Sequence, residues 1–148
     1  MLKSLYAHIN SKKTINYTLI LYLIVIFVLS SLNFKTTNHG LIYKDKIIHF
    51  VEYFILGILF IRYFIFSKNI KFKRSMIFTL LFGSLYAVSD EIHQGFVGFF
   101  STGIFGGVRD PDILDVFADI VGILAGIYTY SIILIKYNKI NGKLNEEL

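Results

Sequence analysis

Residues 75–96 read SMIFTLLFGSLYAVSDEIHQGF. From Met76 to Val88 the stretch carries no charge, and it then closes on Asp90, Glu91, His93 and Gln94. A bilayer core needs about 20 mostly apolar residues per helix, and this run has that length. Three other segments share the pattern: 15–34 (INYTLILYLIVIFVLSSLNF), 47–66 (IIHFVEYFILGILFIRYFIF) and 112–135 (DILDVFADIVGILAGIYTYSIILI). The sequence therefore predicts an all-α fold, a four-transmembrane-helix bundle occupying residues 1–148 as one integral membrane domain. The first apolar run follows Lys3, Lys12 and Lys13, as a signal peptide would. It is too long, however, and lacks a small-x-small cleavage site, so it reads as a retained helix.

Composition agrees. Hydrophobic residues make up 55% of the 148, above a soluble average. Absence of cysteine removes disulfide and thiolate chemistry. The formal charge is +5, but the basic residues sit in short segments between apolar runs. That distribution fits a membrane protein and not a nucleic-acid binder.

Charge also orients the bundle. Lys68, Lys71, Lys73 and Arg74 follow the second helix with no acid among them. Lys3, Lys12 and Lys13 precede the first, and Lys136, Lys139 and Lys143 follow the fourth. By the positive-inside rule both termini of this multi-pass chain are cytoplasmic. The order of segments then places His49 and Glu52, Asp90, Glu91 and His93, and Asp112, Asp115 and Asp119 at the outer ends of three helices.

Helical spacing groups these residues. His49 and Glu52 are i, i+3; Tyr86, Asp90 and His93 are i, i+4, i+7; Asp112, Asp115 and Asp119 are i, i+3, i+7. Gly122 and Gly126 extend the last stripe as a G-x-x-x-G, which lets a neighbouring backbone approach, and Gly83 with Ala87 forms a similar small pair. A carboxylate at mid-membrane costs about 3 kcal/mol on insertion scales, less near the interface. The acids outnumber Arg109, His49 and His93, so shared protons, water or a bound cation must compensate. Asp112 and Lys46 read as solvated helix ends, Arg62 as a snorkelling side chain, and the aromatic run FIRYFIF as lipid-facing or interfacial filler.

Three stretches carry a resemblance: DKIIHFVEYFILG (45–57), YAVSDEIHQGF (86–96) and RDPDILDVFADIVG (109–122). Together they resemble the VanZ-like family of small bacterial membrane proteins. Lys46, His49, Phe50 and Tyr53 match its first motif; Asp90, Glu91, His93 and Gln94 its second; Arg109, Asp115, Asp119 and Gly122 its third. The intervening GFVGFFSTGIFGG (95–107) is longer than the family's usual loop and lacks its proline, and its glycines read as a flexible or re-entrant outer segment. The resemblance implies a cell-envelope role connected with resistance to teicoplanin, a lipid-bearing glycopeptide.

Two mechanisms then compete. In one, an outward acidic site binds an envelope lipid intermediate or a lipoglycopeptide. In the other, a membrane enzyme acts on a lipid-linked phosphate. There His49, Glu52, Asp90, Glu91, His93, Arg109, Asp115 and Asp119 form the reactive set, and Asp90, Glu91, His93 and Asp119 are the candidate ligands of a divalent metal such as Mg²⁺, Mn²⁺ or Zn²⁺. A proton or cation carrier is a third reading, disfavoured because only Arg62 and Thr79 punctuate the inner half.

Overall fold

A computed structural model describes residues 11–31, 42–100 and 112–140. Arg109 and residues 101–107 of the glycine-rich segment lie outside the described residues, whereas residues 95–100 continue a helix. The elements are α1 (Lys12–Ser31), α2 (Ile42–Arg62) closed by a π turn (Tyr63–Ser67), α3 (Phe72–Phe100) and α4 (Ile113–Ile140). All four spans are long and apolar enough to cross a membrane.

Cross-helix bonds fix the directions. Ser67 donates to Asn16 Oδ1 at 2.6 Å and Tyr22 donates to the Glu52 carbonyl at 3.0 Å, so α1 runs against α2. Tyr86 donates to the Leu23 carbonyl at 2.7 Å, and Ser31 bonds His93 at 2.9 Å, so α1 and α3 run together. Lys46 meets Asp112 and Asp115, and His49 meets Asp119, so α2 and α4 are parallel. The acids of three helices thus share one end. Lys12, Lys13, Arg62, Lys68, Lys71, Lys73, Arg74, Lys136 and Lys139 share the other.

The α2–α4 pair has the most extensive contact in the bundle. Its cause is the glycine stripe. A Cβ on Gly122 would stand 2.5 Å from the Phe50 carbonyl oxygen, one on Gly57 would stand 2.8 Å from that of Ile123, and one on Gly126 would collide with the Phe54 carbonyl. Lipid supplies no hydrophobic drive between helices, so backbone contact of this kind carries the association. Ile123 itself is fully buried, packed against Gly83 of α3.

The aromatic run departs from its lipid-facing expectation. Phe60 and Phe64 are buried and stack at 6.0 Å, and Phe64 meets Phe78 and Phe82 of α3 at 5.6 and 5.7 Å. Phe60 and Phe64 continue the buried stripe of Tyr53 and Leu56, and beyond the π turn the chain passes through Asn69, whose φ of 55° places it in the left-handed region. Asparagine enters that region more readily than most residues. On the outside, α1 exposes Leu21, Ile24, Phe27 and Val28, a surface suited to acyl chains.

Candidate functional site

At the acidic end α4 begins at Asp112. Its Oδ1 accepts the Leu114 amide at 2.9 Å, a helix N-cap. Its own amide donates to Glu91 Oε2 at 2.9 Å, tying the end of α3 to the start of α4. The Lys46 ammonium beside Asp112, with the Leu114 amide, holds the Asp112 carboxyl below the usual carboxylate range.

From this rim a polar column descends between α2 and α4. Lys46 Nζ lies 2.6 Å from Asp112 Oδ2 and 2.7 Å from Asp115 Oδ1. One turn deeper, His49 Nδ1 lies 3.1 Å from Asp119 Oδ1. Side-chain exposure falls along the way, from 41% at Asp112 and 23% at Lys46 to 4% at Asp115 and 0% at Asp119. The column is built by register. The glycine contacts bring Phe50 beside Gly122, which sets Lys46 and His49, i and i+3 on α2, against Asp115 and Asp119, i and i+4 on α4.

Tyr53 continues the α2 face, one turn beyond His49, and is fully buried. Asp90 of α3 and Asp119 of α4 are in its neighbourhood. From α3, Asp90 is buried and accepts the Gln94 amide at 3.0 Å. Among the described residues five buried side-chain atoms lack a hydrogen-bond partner; Thr79 Oγ1 lies nearer the basic end and Glu91 Oε1 at the rim, while Tyr53 Oη, Gln94 Oε1 and Asp119 Oδ2 belong to the three helices that form this site. Buried polar atoms are almost always satisfied in native proteins, so this group points to a ligand or water.

Not every expected site residue faces this column. His93 turns to α1, where Ser31 bonds its Nε2 and Phe27 stacks on the ring at 4.3 Å. Glu91 reaches the rim through the Asp112 amide, and Glu52 is half-buried with its carbonyl holding Tyr22. Among the described residues, the acid and imidazole atoms that converge to metal-holding distance are those of Asp45, His49 and Asp115, all within 4.8 Å of one another. None of the anticipated Asp90, Glu91, His93 and Asp119 belongs to this trio, and Lys46 already bonds Asp115 there.

Lys46, Tyr53 and Gln94 enter the column although the sequence reading left them out of the reactive set. The signal was present: Lys46, His49 and Tyr53 are i, i+3, i+7 on one face of α2. Lys46 also supplies a fixed positive charge that offsets part of the acid excess.

The fold and this column define a multi-pass membrane bundle with a buried acid–histidine layer at one end. The VanZ/LLP1 family model matches residues 4–134 of the 148. The chain belongs to that family. No curated protein and no solved structure matches it.

Proposed function

We propose that the acidic column opens to the outer face of the bacterial cytoplasmic membrane and binds the polar head of an envelope lipid or lipid-linked precursor, and so modulates susceptibility to lipoglycopeptides such as teicoplanin. The observation that carries this reading is Asp119. It is fully buried, one oxygen rests on His49, and the other has no partner among the described residues. Gln94 Oε1, on the neighbouring helix, is a second buried acceptor without a partner among the described residues, so the site suits a ligand rich in hydroxyl or ammonium donors, as a sugar or amine head group is. The graded exposure from Asp112 to Asp119 supports access from the end of the bundle. The outward direction is supported by the basic residues at the opposite end.

A second reading is metal-dependent action on a lipid-linked phosphate. The convergence of Asp45, His49 and Asp115 favours it. It ranks second because Lys46 would have to leave Asp115 before an ion could take its place.

The test is native mass spectrometry of the detergent-purified protein with two probes, teicoplanin and a polyprenyl-linked sugar. The wild type is expected to retain at least one, and Asp119→Asn to lose it while melting at the same temperature. Equal retention by Asp119→Asn, or retention of neither probe by the wild type, would overturn the proposal.

A further inference from the structure

At the basic end, Thr14, Ile15 and Thr18 of α1 and Leu59 and Arg62 of α2 line a small cleft of about 50 Å³. We infer that this cleft is a binding site for the phosphate of an anionic phospholipid, with Arg62 as its clamp. This goes beyond the acidic column, which lies at the opposite end of the same helices.

The cleft is firmly built. Ser11 caps α1 through the Thr14 amide at 3.2 Å, and Ser67 holds Asn16 at 2.6 Å, pinning α1 to the π turn. Ile15 is buried and closes the inner wall. Thr18 is exposed, so the cleft opens sideways, away from the bundle core. Its chemistry is one-sided. Lys12 and Lys13 begin α1, Lys68 lies just past the π turn, and no described carboxylate shares this end. A guanidinium has five donors in a planar fork, so Arg62 can keep a protein partner and still present a face to a phosphate. Thr18 spends its hydroxyl hydrogen on the Thr14 carbonyl at 2.8 Å, whereas Thr14, which shares a 2.7 Å bond with Ser11, keeps a hydrogen for a phosphate when Ser11 is the donor.

Lipid is favoured over free phosphate by what lies next to the cleft. On α1, Thr14 and Thr18 continue at helical spacing into Leu21, Val25 and Val28, which are 64%, 40% and 48% exposed. On α2, Arg62 and Leu59 continue into Ile55, Val51 and Ile48, at 38%, 45% and 54%. Two apolar stripes thus lead from the cleft toward the bilayer centre, where acyl chains of a lipid seated on Arg62 would lie.

The experiment is native mass spectrometry of the full chain in detergent, titrated with phosphatidylglycerol, phosphatidylcholine and inorganic phosphate. The wild type is expected to hold one phosphatidylglycerol about tenfold more tightly than phosphatidylcholine, with no effect of inorganic phosphate. Arg62→Gln should remove that preference, a change of about tenfold, or about 1.4 kcal/mol. Arg62→Lys should keep part of it, and Lys73→Gln, at an exposed position outside the cleft, should keep all of it. Thr14→Val, which leaves the charge in place, serves as a second variant and should weaken binding by a few fold. The inference is overturned if the wild type shows no preference for phosphatidylglycerol, if Arg62→Gln binds as wild type does, if Lys73→Gln weakens binding as much as Arg62→Gln, or if inorganic phosphate competes fully with the lipid.

Discussion

Lys46→Ala removes an ammonium that bridges two carboxylates, at 2.6 Å from Asp112 and 2.7 Å from Asp115. The two contacts differ in weight. Asp112 is 41% exposed, so its share is that of a surface pair, about 0–1 kcal/mol. Asp115 is 4% exposed, and stranding a buried charge costs about 3–5 kcal/mol. Asp115 keeps other interactions, which places the cost near the lower limit, about 3 kcal/mol in all. Reversible denaturant titration in mixed micelles measures it. On an Asp115→Asn background the same Lys46→Ala change should cost about 1 kcal/mol or less, because the stranded charge is gone. Without the ammonium, Asp45, His49 and Asp115 remain converged. Millimolar Mn²⁺ should therefore restore part of the stability lost by Lys46→Ala, and none in the wild type. The reasoning fails if Lys46→Ala costs the same on both backgrounds, or less than about 0.5 kcal/mol on the first.

Gly122→Ala and Gly126→Ala should each destabilise by about 1–3 kcal/mol in the same titration, because their Cβ atoms would meet α2 backbone. Gly83→Ala should be milder, since its neighbour is the end of the Ile123 side chain. Asp112→Ala should cost about 1 kcal/mol through the lost N-cap. Because the folded Asp112 carboxyl lies below its ordinary value of 3.8, its contribution is present above that value and is lost as pH falls through the lowered one. The stability difference between wild type and Asp112→Ala should accordingly close below about pH 4. Asn69→Gly should be neutral and Asn69→Val should cost about 1–2 kcal/mol, given the left-handed backbone at that position.

The membrane helices were legible because hydropathy and length suffice to find them. Their observed limits shift by a few residues, most at the start of α2 and the ends of α3 and α4. The convergence of acids followed from segment order, and the G-x-x-x-G at Gly122 and Gly126 foretold the tight helix pair. Less legible was anything that depends on how far one helix slides against another. A lysine at a helix start looks like an interface residue, and only the α2–α4 register shows that Lys46 reaches Asp115. His93 illustrates the same limit. It shares a stripe with Tyr86 and Asp90, but α1 lies against one flank of that stripe and takes both Tyr86 and His93. The aromatic run deceived because composition does not show its face: Phe60 and Phe64 continue the buried stripe of Tyr53 and Leu56 at helical spacing.

Sidedness is the measurement that bears most directly on the proposed outward site, and the absence of cysteine makes it clean. Ile113 is 81% exposed at the rim of the acidic column, and Lys73 is exposed at the basic end. Ile113→Cys and Lys73→Cys would be treated in intact cells with a membrane-impermeant maleimide. The account predicts labelling of Ile113→Cys in intact cells and of Lys73→Cys only after permeabilisation. Labelling in the reverse order would contradict it, since the acidic column would then open to the cytoplasm.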